Sequence, residues 1–533
     1  MKTRMLLLMI LTGSGLIGLT GCNDSSNDDS TTTTSVTTNT SGYFQTKTPY
    51  QAQQSIGSYQ AAPAGFEPVF TELVARHGSR GLSSMKYDLA LYNLWKQAKT
   101  DNALTPLGEK LGSDLEAMMK ANIVLGYGVE GIRQPGYGNE TALGIDEHRG
   151  IADRLLQRLP QLFNVSAMGN QDILVQSSGV DRAVDSAKFF SNELIRQNAA
   201  LSSKIRPASY TILNTSLGPT VQDQGVDRFL LYFHSLNKDT DASEINSSFK
   251  QRIFDASMNY QNFESNDLQL QQKLKQLSSQ TQAQQVALTV LAPLFKDAFI
   301  QKLGTPGYTF SNTGSFSATA PDGTVVTEKG KGKNTISSAV DAAAYLYELY
   351  SIAPGMKKEL VNTDFAQYMP REAAKFYAEY NDANDFYEKG PSFSESNQVT
   401  SMMAQGLKQD FFNQVDALMN QQQSHKAVLR FAHAEIIIPL ATAFELKGMM
   451  TPLPLVQTYS YSNSAWRGED ISPMAANMQW DIYQNAQGYT LVKMLYNEKE
   501  TLFKSNCDYA RYAPNSYFYD YLKLKQCYNI SNF

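Results

Sequence analysis

Apolar and polar residues alternate in blocks along the chain, and the period of the blocks changes from one stretch to the next. The run "FEPVFTELVARHGSR", Phe66 to Arg80, is rich in apolar and β-branched residues with Pro68 near its start, and it predicts a first core strand. In "ALTPLGEKLGSDLEAMMKANI" a turn at Pro106 gives way to helical spacing from about Gly108. "IDEHRGIADRLLQRLPQLF" sets Ile151, Leu155, Leu156 and Leu159 on one side of an amphipathic helix, and "QDILVQSSGVDRAVDSAKFFSNELIRQ" reads as strand, short loop and helix. Strands alternating with helices predict an α/β fold, a mainly parallel sheet flanked by helices on both faces. From about Lys204 to Val399 the pattern changes. Long polar-rich helical stretches dominate there, interrupted by the Gly-rich "GSFSATAPDGTVVTEKGKGKN", a loop or hairpin. The strand-helix alternation resumes at "AVLRFAHAEIIIPLATAFEL". The predicted organisation is therefore an α/β domain over 63–203 and 400–505 carrying a large, mostly helical insertion over 204–399, with a tail at 506–533.

The N-terminus adds a destination. Lys2 and Arg4 precede a short, interrupted apolar run, which predicts an export signal over residues 1–21. The run ends in Leu19-Thr20-Gly21-Cys22, which resembles the lipobox of bacterial lipoproteins and makes Cys22 the expected lipidation site. A polar Ser/Thr-rich tether is predicted over 22–62. The expected location is the bacterial cell envelope, lipid-anchored on the periplasmic side or at the outer membrane. Cys507 and Cys527 are the remaining cysteines, and in an oxidising compartment they are expected to form one disulfide. The formal charge of −5 gives no basic face of the kind a general nucleic-acid binder needs. Any phosphate site must be a local arginine cluster within an acidic whole.

Three stretches supply one. Each is an apolar strand ending in residues capable of chemistry: Arg76-His77-Gly78-Ser79-Arg80, then Arg182 shortly after "DILVQSS", then His433-Ala434-Glu435 after "AVLRF". Ligands of open α/β sheets bind beyond the carboxyl ends of the strands, so three such ends define one crevice. Guanidinium groups suit bidentate binding of phosphoryl oxygens, a histidine can attack phosphorus, and a carboxylic acid can protonate the departing oxygen. Each piece alone has an ordinary reading: a basic cluster where a strand surfaces, an arginine at a helix start, a glutamate capping a helix. "HAE" also matches the H-x-E half of zinc deaminases, but the P-C-x-x-C half is missing. His148, His234 and His425 read as surface or core histidines, and Lys329, Lys331 and Lys333 as a solvated loop.

Together these motifs resemble the histidine acid phosphatases of branch 2. "RHGSR" is similar to their R-H-G-x-R-x-P signature, "LTPLG" to their L-T-x-x-G turn, and "DRAVDSAKFF" to the segment carrying a third arginine. "HAE", "EYNDANDFYEKGPSF" and "PMAANMQWDIY...LVKMLYNEKE" resemble the multiple inositol polyphosphate phosphatase branch. Gly81-Leu82 departs from the x-Pro of the signature. The resemblance implies that His77 is the nucleophile, that Arg76, Arg80 and Arg182 clamp the phosphoryl group with His433 as a further donor, and that Glu435 is the general acid. It implies no metal and no cofactor, because the arginines supply the positive charge. The expected substrate is a small phosphate monoester, foremost an inositol polyphosphate such as phytate. A broad-specificity acid or sugar phosphatase is the alternative within the same chemistry. A non-catalytic phosphate-binding lipoprotein is the alternative outside it.

Overall fold

The computed structural model describes residues 42–132, 134–207, 225–279 and 281–530; the expected export signal, Cys22 and the tether up to residue 41 lie outside them. The strands are β1 (Glu67–Arg76), β2 (Asp172–Ser177), β3 (Ile205–Arg206), β4 (Phe310–Thr319), β5 (Val325–Ile336), β6 (His425–Ala432), β7 (Asn477–Gln484), β8 (Thr490–Tyr496), β9 (Lys499–Thr501) and β10 (Phe518–Asp520). All but β4 and β5 form one sheet in the order β10-β8-β7-β1-β6-β2-β3, with β9 added on β8. β1, β6, β2 and β3 are parallel neighbours, and β7 pairs antiparallel with β1. The three predicted strand ends therefore belong to three adjacent parallel strands and point the same way.

Alternate residues of the central strands feed two cores. Leu73, Ala75, Ile173, Val175, Leu429 and Phe431 meet the helices Ala142–Arg158 and Asp181–Gln197 on one face. Phe70, Val74, Val428, Met478 and Trp480 meet the helices Gln405–Met419 and Ala434–Ala443 on the other. Polar residues inside these strands are paired: Arg430 donates to Glu72 at 3.0 Å and also to Asp410.

The helical half is not built from one stretch of chain. Leu91, Leu94, Trp95, Leu111 and Leu115, from the helices Tyr87–Thr100 and Pro106–Ile123, share a core with Leu291, Leu346, Leu349 and Tyr377 of the expected insertion. Conversely, Ile253, Tyr260 and Phe263 of the helix Ser248–Asn266 join the core against the sheet. The Gly-rich stretch is a hairpin, β4 with β5.

The described part of the stretch expected to be a tether, from Gly42, is packed rather than loose. From Gly42 onward the chain packs on the protein: Tyr350 donates to the Gly42 carbonyl at 2.5 Å, Gln45 and Thr46 are buried, and Tyr50 sits in the first of the two sheet cores. Aromatic residues at 43, 44 and 50 anchor this segment, which polarity averaged over 22–62 conceals. Cys507 and Cys527 are disulfide-bonded and tie the tail to its last helix, Tyr521–Cys527. Among the described residues no helix is long and apolar enough to cross a membrane.

Candidate active site

The backbone of the first motif continues the sheet past the end of β1. The His77 amide donates to the Ala432 carbonyl at 2.9 Å, and the His77 carbonyl accepts from the Ala475 amide at 2.9 Å. Beyond it the chain presses on the start of the helix Ala142–Arg158. A Cβ on Gly78 would lie 2.6 Å from the Gly144 oxygen, so the third letter of "RHGSR" admits only glycine. Buried acids hold the turn. The Gly78 amide donates to Glu140 at 2.9 Å, while the Ser79 amide and hydroxyl donate to Glu147 at 2.6 and 2.8 Å. At the departure from the x-Pro pattern, the Leu82 amide donates to Asn122 Oδ1 at 2.7 Å, a bond proline could not make.

Arg76 and His77 are buried. Arg76 donates to the Ser472 carbonyl at 2.6 Å and to that of Thr46. His77 Nδ1 lies 2.9 Å from the Gly78 carbonyl, which can only accept, so Nδ1 carries the proton and Nε2 keeps its lone pair. The His77 and His433 rings are 5.6 Å apart. His433 Nδ1 is 3.4 Å from Arg182 Nη2, and its Nε2 is 2.7 Å from Ser178 Oγ. An arginine can only donate, so Nε2 bears the His433 proton and gives it to Ser178. Arg182 begins the helix Asp181–Gln197 and Glu435 begins Ala434–Ala443, so both helix N-termini open on this crevice. Arg76, Arg80 and Arg182 all lie close enough to His77 to act on it electrostatically. Three guanidiniums gathered around two histidines form a cradle for an anion.

A family model, the histidine phosphatase superfamily (branch 2), matches residues 70–497. The chain belongs to that superfamily. The multiple inositol polyphosphate phosphatase of Bifidobacterium longum is similar throughout. Its complex with inositol hexasulfate shares 33% identity at a TM-score of 0.77, over 92% of this chain and 97% of that one. Its complex with phosphate shares 32% identity at a TM-score of 0.79, over 92% and 98%. The phytase from D. castellii, 11% identical over 91% of this chain and 84% of that one, has a TM-score of 0.56 and the same fold. No curated protein matches the chain.

The electrostatics suit a histidine phosphatase. Burial, reinforced by the charges of Arg182, Arg76 and Arg80, holds the His77 pKa well below its ordinary value, so the imidazole is neutral. Burial and mutual repulsion lower Arg76 to about 10 and Arg80 to about 9, which leaves both charged at neutral pH. Burial pushes the Glu435 carboxyl up, but Lys389, His234 and His433 outweigh it and hold its pKa well below the ordinary range. Lys389 Nζ stands 3.7 Å from Glu435 and 2.9 Å from Asp385. The free site therefore carries Glu435 as a carboxylate. Among the described residues no cluster of His, Cys, Asp or Glu is arranged to hold a metal ion.

The histidines left aside in the sequence divide. His148 is a buried core residue against Phe431, and His425 starts β6 beside Asp172. His234 belongs to the site: its ring is 6.4 Å from that of His433, with Tyr232 between them at 4.5 and 5.8 Å. No local pattern marks His234, because long-range packing alone brings it there. Lys389 had a signal, the quoted "EYNDANDFYEKGPSF", but no role attached to it. Lys329, Lys331 and Lys333 lie on β5.

Proposed function

We propose that the protein is an exported phosphomonoesterase that hydrolyses inositol polyphosphates through a phosphohistidine. The observation that carries this reading is the neutral His77, its Nε2 lone pair free, set among three arginines. Arg76, Arg80 and Arg182 take the phosphoryl oxygens. His433 stands beside them, accepting from Arg182 at Nδ1 while its Nε2 proton goes to Ser178, and so holds Arg182 towards the same group. His77 Nε2 forms a bond to phosphorus as the P–O ester bond breaks, and the leaving alkoxide takes a proton from Glu435. The arginines balance the charge gathered on the phosphoryl oxygens. Water then attacks the phosphohistidine, Glu435 receives the water's proton, and inorganic phosphate departs with the His77 lone pair restored.

Glu435 must hold a proton for the first step although Lys389 keeps it ionised in the free site. A bound phosphate dianion beside it raises its pKa by like-charge repulsion, so substrate binding prepares the acid. Inositol polyphosphate as substrate is supported by the likeness, over nearly the whole chain, to a phosphatase whose complex holds inositol hexasulfate. The lipobox-like "LTGC" supports attachment to the cell envelope at Cys22.

Incubation with radiolabelled phosphate ester and an alkaline quench, which preserves phosphoramidates, should trap label on His77. A wild-type enzyme that turns over phytate with no trapped label, and a His77→Ala variant of equal activity, would reject the mechanism. Cys22→Ser should move the protein from membranes to the soluble fraction.

A further inference from the structure

The segment 42–50 packs against both halves of the molecule. Tyr350 and Tyr347 of the helix Ala339–Ile352 donate to the carbonyls of Gly42 and Tyr43 at 2.5 and 2.8 Å. At the sheet, the Thr46 carbonyl accepts from Arg76, and the Thr48 carbonyl accepts from the Met474 amide at 2.9 Å. The next amide, that of Ala475, donates to the His77 carbonyl, so one short loop is shared by this segment and the nucleophile. Tyr43 and Gln45 both hold a φ of 57°, in the left-handed region that disfavours residues with a Cβ. Such a conformation persists where its surroundings over-determine it, and Gln45 and Thr46 are both buried.

Three donors of the segment each meet an acidic side chain. Gln45 Nε2 donates to Asp385 Oδ2 at 2.6 Å, while the other Asp385 oxygen faces Lys389 Nζ at 2.9 Å. Lys47 Nζ donates to Glu348 at 3.0 Å and to Ser351 at 3.1 Å. Glu348 also lines an aromatic cavity of about 620 Å³ in the helical half. The Tyr50 amide donates to Glu147 at 2.8 Å. The same three acids reach the clamp: Asp385 and Glu147 lie close enough to Arg76, and Glu348 to Arg80, to act on them electrostatically. An acid short of donors competes with a phosphoryl group for a guanidinium. The segment supplies those donors, and so leaves the arginines to an anion.

We propose that residues 42–50 form a clasp that sets the affinity of the crevice for phosphate, with Gln45 and Lys47 as positioning residues that act on the arginines through Asp385 and Glu348. The clasp rests on the reading of Arg76 and Arg80 as the phosphate clamp. Linkage makes the effect reciprocal: a clasp that favours phosphate binding is itself tightened by bound phosphate.

Two measurements on the full-length protein test it, with inorganic phosphate as the probe. In the wild type, saturating phosphate should slow amide hydrogen exchange in peptides covering 42–50 about threefold or more, and leave the distant helix Tyr521–Cys527 unchanged. Competitive inhibition of nitrophenyl phosphate hydrolysis by phosphate should weaken roughly three- to tenfold in Gln45→Leu, which changes no charge, and about tenfold or more in Lys47→Met. Lys47→Arg, which keeps the charge and the reach, should stay within about twofold of the wild type, and Gln51→Ala, at an exposed position just past the clasp, should match it. A segment that only adds stability would lower the unfolding temperature of Gln45→Leu and Lys47→Met and leave the phosphate inhibition constant of the folded enzyme in place. That result overturns the proposal, as does exchange in 42–50 that phosphate slows no more than in Tyr521–Cys527. If a variant does not fold, the wild-type exchange measurement still decides. Either failure in a wild type that phosphate inhibits removes the clasp alone, whereas a wild type that phosphate does not inhibit removes the clamp and the clasp together.

Discussion

The crevice beyond β1, β2 and β6 and the cavity in the helical half are built on opposite plans. The crevice is basic, and its key groups are fixed by backbone: His77 is bonded into the sheet on both sides, and Arg76 is pinned by two carbonyls. The cavity is aromatic, nearly free of cations, and made from side chains of helices far apart in sequence. The first plan suits one reaction on one group whatever alcohol it is attached to. The second suits recognition, which can change without touching the chemistry. The electrostatic reason is direct: three guanidiniums that depress a histidine's pKa must be close and buried, whereas aromatic contacts tolerate rearrangement.

Substitutions in the crevice should therefore change rates by orders of magnitude. The largest effect belongs to His77→Ala, which should lower kcat by about 10⁴–10⁶-fold, the scale on which loss of a nucleophile acts. Equilibrium dialysis should still find phosphate bound. If the variant retains substantial hydrolysis, water rather than His77 is the nucleophile and the crevice is only a clamp.

Next comes Glu435→Gln. It should slow alkyl phosphates by about 10²–10⁴-fold and nitrophenyl phosphate far less, because a nitrophenolate leaves without a proton. Equal losses on both substrates in a folded variant would reduce Glu435 to a helix-start carboxylate. Arg182→Lys keeps the charge but loses the planar fork, and should weaken competitive inhibition by phosphate roughly 10–100-fold.

Lys389→Met tests the tuning of the acid. Lys389 holds the Glu435 pKa down, so its removal should raise that pKa and carry the alkaline limb of kcat on alkyl phosphates to higher pH, by roughly 1–3 units. A limb that stays in place would mean that another group controls it.

The smallest effect is on stability. Burial, opposed by bonds from Ser79 and Tyr50, raises Glu147 from the ordinary 4.5 to about 7. Between those values the folded protein holds a proton that the unfolded chain has released, so the contribution of Glu147 to stability is greatest below pH 4.5 and falls as pH rises towards 7. The loss should be no more than about 3 kcal/mol. Urea titrations across that window should show the slope in the wild type and not in Glu147→Gln.

Much of the crevice was legible because it is written locally. A strand's hydrophobic run and the residues that end it are contiguous, and parallel neighbours align those ends, so Arg76, His77, Arg80, Arg182, His433 and Glu435 could each be named from a short motif. The antiparallel pairing of β7 and β8 was not legible, since both strands are buried on both faces and strand direction leaves no mark in the residues of "NMQWDIYQ" and "TLVKMLY". Nor was the division of the helical half, because an amphipathic stripe shows that a helix has a partner without naming it.

The sequence by itself determined the strand-end motifs that meet in the crevice, the α/β frame and the pairing of Cys507 with Cys527, because each depends on residue type and order. Only the tertiary structure decided that His234 and Lys389 stand beside His433 and Glu435, and that the Thr46 carbonyl meets Arg76. Those contacts join residues from tens to hundreds of positions apart. Their energies arise from burial and shape, which no local pattern of hydrophobic and polar positions records.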